Sequence, residues 1–269
     1  MKWPSTVVFI RHGQSTYNAL KVRKLAHPEY QEFLEKFNKE FPKAKGLNWS
    51  SMALKKSAEK AWKAIDSGES DYETALTEEG HNQAKETGRG LNVLLEKGEI
   101  EKPDIIYVSP YLRTHQTLQG IRSGCKKFLN IKHVVEERVR EQEHGLCSLY
   151  NDWRIYYTLH PEQALLHKLQ GDYDYRYLNG ENKADVRDRA RSFLNTLIRE
   201  NNGQKIFIIS HHLMLLCLRA NLERWVANEL ITADKEDKPI NCGVTIYKGN
   251  PNLGRNGKLE LITYNRKLY

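Results

Sequence analysis

Six short apolar runs, most of them rich in β-branched residues, punctuate this chain: Thr6–Ile10, Asp104–Val108, Lys132–Val135, Lys205–Ile209, Gly243–Tyr247 and Leu259–Thr263. Runs of this length and composition predict buried strands, the last of them at a sheet edge. Between them, apolar residues recur at three- and four-residue spacing. One such stretch opens at Thr77-Glu78-Glu79-Gly80, a threonine cap followed by acids in the first turn, and continues to Leu95. A second covers Asn182 to Arg199, with Val186, Ala190, Phe193, Leu194, Leu197 and Ile198 on one face. A third, Leu213 to Leu222, is apolar nearly all round and predicts a buried helix. Strands that alternate with helices predict an α/β fold, a three-layer αβα arrangement with a mostly parallel central sheet and helices on both faces.

Residues 20–70 fit that alternation less well. Two amphipathic patterns, Pro28–Phe41 and Ser51–Ser67, are separated by Pro42 and Gly46, and the segment holds eleven Lys or Arg against seven Asp or Glu. It reads as a helical insertion, either a pair of solvated surface helices or a cap over a pocket. The second reading rests on position, because the segment leaves directly after the strand that ends in Arg11-His12. No Pro/Gly/Ser-rich linker, low-complexity tract or internal repeat divides the 269 residues, so one domain spanning 1–269 is expected.

Charge narrows the partners. The 42 basic and 34 acidic side chains leave a net charge of +8, which favours anions. The two signs are interspersed and no basic arm or RNA-binding signature is present, so a small phosphorylated substrate is expected, not nucleic acid. The four cysteines are widely spaced with no CxxC pair, which argues against a disulfide framework or a thiolate zinc site. No signal-peptide pattern opens the chain, and the most apolar segment, Ile206–Leu218, is interrupted by Ser210-His211-His212 and too short to span a bilayer. The expectation is a cytoplasmic protein with no membrane partner; a homodimer stays open.

Candidate chemistry gathers where expected strands end, which is where ligands are met in α/β sheets. The first strand runs into Arg11-His12-Gly13, with the glycine expected to let the backbone turn sharply, and continues through Asn18. The second runs into Ser109-Pro110-Tyr111-Leu112-Arg113, where the proline suits a helix start and places Arg113 one turn in. The third is followed by Arg140-Glu141-Gln142-Glu143-His144-Gly145, and the fourth ends on Ser210-His211-His212. Helix amino termini present free amides to phosphate. Arginine makes paired, permanently charged hydrogen bonds to phosphate, neutral histidine can act as a nucleophile, and a glutamic acid can protonate a leaving oxygen. With arginines and histidines to neutralise charge, no metal and no cofactor is required.

In the order and spacing of these segments the chain resembles the histidine phosphatase (phosphoglycerate mutase-like) superfamily. The likeness also includes Leu76-Thr77-Glu78-Glu79-Gly80 and Tyr175-Arg176-Tyr177-Leu178-Asn179-Gly180-Glu181, similar to the family's RYPxGES, and covers most of the chain outside 20–70. The resemblance implies that His12 is a phosphohistidine nucleophile, that Arg11, Arg113 and His211 hold the phosphoryl group, and that Asn18 lies on the pocket rim. It selects Glu141 over Glu143 as the acid. His212 stands where the family usually has glycine; it adds either a further phosphate donor or a packing side chain.

The implied activity is phosphomonoester hydrolysis of a small metabolite through phosphohistidine, of the histidine acid phosphatase type. The alternatives are a cofactor-dependent phosphoglycerate mutase and a non-catalytic phospho-ligand-binding protein. Mutases of the superfamily resemble one another in a basic cluster after the acid, whereas between Gly145 and Gly171 this chain has only Arg154 and Lys168 as permanent cations.

Overall fold

The computed structural model describes residues 2–269. In chain order the main elements are β1 (Thr6–Arg11), α1 (Thr16–Arg23), α2 (Pro28–Glu40), α3 (Met52–Ile65), α4 (Glu78–Glu96), β2 (Ile105–Val108), α5 (Leu112–Gly124) and β3 (His133–Val135). There follow α6 (Trp153–Leu159), α7 (Pro161–Asp174), α8 (Lys183–Glu200), β4 (Lys205–Ser210), α9 (His212–Glu223), α10 (Ala227–Glu236), β5 (Val244–Asn250) and β6 (Lys258–Arg266). The chain groups into two compact units. One joins Met1–Thr16, Tyr72–Glu141 and Val186–Tyr269; the other joins Tyr17–Asp71 and Gln142–Asp185.

The first unit is built on a six-stranded sheet of order β3-β2-β4-β1-β5-β6. Strands β1 to β4 run parallel, and β5 and β6 close one edge antiparallel. Alternation along each strand sorts its side chains to two faces. Val8, Ile10, Ile106, Val108, Phe207 and Ile209 form one buried cluster with Leu91 and Leu94 of α4 and Leu118 and Ile121 of α5. On the other face, Phe9 lies 5.5 Å from Tyr247 and Tyr107 meets Phe193 of α8 edge-on at 5.1 Å. Truncating a member such as Leu91 to alanine would cost about 2–5 kcal/mol through lost transfer energy and the cavity left behind.

The sequence reading places all six strands, with ends that coincide or shift by at most three residues. Thr77 caps α4, its hydroxyl accepting from the amide of Gly80 at 3.0 Å. Helix α9 is buried on every side from Leu213 to Ala220, as its unbroken apolar character implies. One expectation fails in detail. Helix α5 begins at Leu112 with Tyr111 as its cap, so Pro110 precedes the helix and Arg113 sits in its first turn.

The second unit is helical. Tyr30, Phe33 and Phe37 of α2 pack against Leu54, Ala58, Ala61 and Ile65 of α3, and Ile155 of α6 completes the cluster. Ser51 caps α3 by accepting from the Leu54 amide at 3.1 Å. At the unit's polar centre Lys24 Nζ lies 2.6 Å from Asp152 Oδ2, which also accepts from the Tyr30 hydroxyl at 2.5 Å. Burial alone would raise the Asp152 carboxyl, but Lys24, Tyr30 and the Arg154 amide outweigh it and hold it below the usual range. The four cysteines are buried and none is joined in a disulfide among the described residues. Among the described residues no helix is long and apolar enough to cross a membrane.

Candidate active site

Strands β1 and β4 pair in register from Thr6↔Lys205 to Arg11↔Ser210. The residues that follow each strand, His12 and His211, therefore emerge side by side. Their rings stand 5.1 Å apart, centroid to centroid, tilted by 60°. Both are almost wholly buried, at 4% and 0% exposure. Burial, and after it the nearby positive charges led by Arg113, hold both imidazoles well below the ordinary histidine range. Both are neutral at physiological pH.

Neutral rings make the tautomers decidable. His12 Nδ1 lies 2.7 Å from the Gly13 carbonyl oxygen, which can only accept, so Nδ1 carries the proton and Nε2 keeps its lone pair. His211 Nε2 lies 2.7 Å from Ser109 Oγ, and that oxygen accepts a long bond, 3.5 Å, from the Tyr111 amide. Donation by the Ser109 hydroxyl to Nε2 leaves no buried hydroxyl hydrogen idle. In that arrangement the His211 proton sits on Nδ1; whichever nitrogen carries it, Nδ1 is buried without a partner. Arg11 Nε is a second buried nitrogen without a partner, although its Nη1 donates to the Pro239 carbonyl at 2.7 Å. Unsatisfied buried donors are rare in native folds and point to a ligand that accepts from them.

The charges agree. Arg113, 4% exposed, stacks on the Tyr111 ring at 4.8 Å. Burial pulls the Arg11 guanidinium down, Glu141 opposes that, and Arg113 adds to it. The guanidiniums of Arg11 and Arg113 thus stand close enough to both imidazoles to act on them electrostatically, an arrangement suited to an anion. Glu141 Oε2 accepts from the amide of Leu213 in the first turn of α9 at 3.4 Å.

The backbone after β1 is held from several elements. The Gly13 amide donates to Thr117 Oγ1 of α5 at 3.1 Å, the Gln14 amide to Gln83 Oε1 of α4 at 3.0 Å, and Asn241 Nδ2 to the His12 carbonyl at 3.0 Å. Gly13 is needed for close approach, not for the sharp turn expected from sequence. It is absent from the positions of positive φ, and a Cβ there would sit 2.5 Å from the carbonyl oxygen of Gly80.

The structure thus brings Arg11, His12, Arg113, His211 and Glu141 together within the sheet unit. His212 opens α9, with its Nε2 3.1 Å from Asp234 Oδ1 of α10 but without hydrogen-bond geometry. Asn18 lies half-buried on α1 and exposed Glu143 lies outside every helix and strand; both are assigned with the helical unit. Two residues at the centre were not singled out from sequence: Ser109 as the partner of His211, and Arg189, which donates to the Glu141 carbonyl at 2.9 Å. Arg189 left a signal. It falls between Val186 and Phe193 on the apolar stripe of α8, where a cation requires a buried partner.

A family model described as the histidine phosphatase superfamily (branch 1) matches residues 58–253. The chain belongs to the histidine phosphatase superfamily. Arg11 and His12 precede the matched stretch and are tied to it by the β1–β4 register. It is 30% identical over 204 residues to a phosphoglycerate mutase-like protein of Arabidopsis thaliana, spanning 70% of this chain and 67% of that protein. It is 26% identical over 162 residues to phosphoserine phosphatase 1 of Hydrogenobacter thermophilus, spanning 60% and 70% of the two. Its fold is similar to that of a mycobacterial glucosyl-3-phosphoglycerate phosphatase solved with inorganic phosphate, with TM-score 0.61, 15% identity and 98% of each chain covered.

Proposed function

We propose that this protein hydrolyses phosphomonoesters of small metabolites through a phosphohistidine formed at His12. The observation that carries the reading is the hydrogen bond from His12 Nδ1 to the Gly13 carbonyl, which leaves Nε2 unprotonated beside the unpartnered His211 Nδ1. In the first step the Nε2 lone pair attacks phosphorus, the ester P–O bond breaks, and Glu141 passes a proton to the leaving alkoxide. Arg11, Arg113 and His211 stabilise the charge that spreads over the equatorial oxygens. In the second step a water gives its proton to the Glu141 carboxylate and attacks phosphorus, the N–P bond breaks, and inorganic phosphate leaves with His12 neutral again.

The test is release of phosphate from p-nitrophenyl phosphate by wild type and His12→Ala, with trapping of acid-labile, base-stable phosphoprotein. Loss of both turnover and trapped phosphate in the variant is expected; retained turnover would sink the mechanism. Interconversion of 3- and 2-phosphoglycerate, with 2,3-bisphosphoglycerate present, faster than ester hydrolysis would establish the mutase instead.

A further inference from the structure

Glu141 lies outside every strand and helix, just past the short turn Glu137–Val139. Its backbone is nevertheless held at four successive points. The carbonyls of Arg138, Arg140 and Glu141 accept from the guanidinium of Arg189 on α8, at 3.0, 2.7 and 2.9 Å. The remaining carbonyl, that of Val139, accepts from the Ser210 hydroxyl at 2.6 Å. Ser210 is the last residue of β4 and directly precedes His211. The loop that brings the acid therefore hangs from the same strand end that presents the second histidine, and from one guanidinium on the neighbouring helix.

We propose that Arg189 and Ser210 clamp this loop so that the Glu141 carboxyl meets the leaving-group oxygen, which makes Arg189 a positioning residue for the acid. The inference rests on the phosphatase reading above and deepens it. Only a guanidinium suits the role: its planar fork of donors spans three carbonyls at once, whereas a lysine ammonium is a single point of attachment. The clamp also explains why Arg189 occupies the apolar stripe of α8. Its donors are committed to three backbone carbonyls, and removing them would cost those hydrogen bonds. Arg138 fastens the same turn to α8 independently, its Nη1 donating to Thr196 Oγ1 at 2.8 Å, so losing the Arg189 fork shifts the acid without releasing the whole segment.

In the first step a misplaced acid matters only when the leaving group needs a proton, and kcat/KM reports that step alone; hydrolysis of the phosphohistidine, which also uses Glu141, is common to all esters. p-Nitrophenolate departs readily without one; phenolate departs less readily. The experiment measures kcat and KM for p-nitrophenyl phosphate and phenyl phosphate in wild type, Arg189→Lys, Glu141→Gln and the double variant. Arg189→Lys is expected to lower kcat/KM about 10- to 100-fold on phenyl phosphate but only about threefold on p-nitrophenyl phosphate, since misplacing a general acid forfeits its contribution to the first step. In the Glu141→Gln background the same change should cost nothing further, because the two residues act as one unit. Ser210→Ala, which removes one hydrogen bond and no charge, should show the same leaving-group selectivity at smaller amplitude and covers the case that Arg189→Lys does not fold.

Equal losses on the two esters, or an undiminished loss in the Glu141→Gln background, would overturn the clamp. A Glu141→Gln variant that treats both esters alike would sink the acid assignment and the clamp with it. A His12→Ala variant that still turns over would instead sink the phosphohistidine reading, so the failures are separable.

Discussion

The imidazoles of His12 and His211 stand 5.1 Å apart because they follow paired residues of adjacent parallel strands. They come from opposite ends of the chain and reach the same place through one hydrogen-bond register. Both rings are held neutral by burial and by the two guanidiniums beside them.

That neutrality gives stability a definite pH dependence. Unfolded, each imidazole takes up a proton near its ordinary value of 6.5; folded, it resists protonation far lower. Below that value the unfolded chain binds more protons, so stability is full above about pH 6.5 and falls as pH drops beneath it. Thermal melting from pH 7.5 to 5 should show a declining Tm, and inorganic phosphate should offset part of the decline by favouring charged imidazoles. A double His12→Asn, His211→Asn variant should lose most of the slope; an unchanged slope would place its origin elsewhere.

Ser109→Ala removes the hydroxyl that engages His211 Nε2 at 2.7 Å. The ring is then free to change tautomer and its buried nitrogen is left unpaired. A drop of about tenfold in kcat is expected, the consequence of about 1–3 kcal/mol for a buried polar group without its partner. Steady-state kinetics with p-nitrophenyl phosphate decide it, and undiminished kcat would show that Ser109 does not orient the ring.

Gly80→Ala should destabilise the sheet unit. A Cβ at residue 80 would fall on the carbonyl oxygen of Gln14, and Gly13 and Gly80 approach each other backbone to backbone. A rigid backbone cannot yield cheaply, so a loss of about 1–3 kcal/mol is expected. Chemical denaturation measures it, and a neutral result would mean that the two segments separate without cost.

Asp152→Asn tests the helical unit. The substitution keeps an acceptor for Tyr30 but leaves the Lys24 ammonium, whose side chain is 10% exposed, without its carboxylate. Breaking one side of a buried pair costs about 3–5 kcal/mol, and replacing Lys24 with methionine in the same chain should recover much of it. Because the Asp152 carboxyl is held below 3.8, its stabilising contribution is complete above that pH and lost on acidification through the lower, folded value. Urea titration of the single and double variants reads the effect.

Much of the site was visible as local pattern. Arg11-His12, Arg113 and His211 each lie at the end of an apolar run, and a run of β-branched residues reports its own burial. Glu141 needed the family likeness to be chosen over Glu143, since two carboxylates two residues apart look alike until a backbone places them. Helix α1 was not read because it buries no side chain and so shows no stripe, and α7 was not read because non-helical Gly171 interrupts it.

From the order of residues alone came the strands, the capped helix at Thr77 and the kinds of side chain that could meet a phosphoryl group, because these depend on neighbours within a few positions. Which nitrogen of His12 is bare, what His211 leans on and what suspends Glu141 were settled only by folding. Each is a hydrogen bond to an atom supplied elsewhere by the fold or by backbone geometry, from the adjacent Gly13 carbonyl to Ser109 and Arg189, which lie 102 and 48 residues away from their partners. Local periodicity carries no information about such distant partners; only the strand register and helix packing bring them within bonding distance.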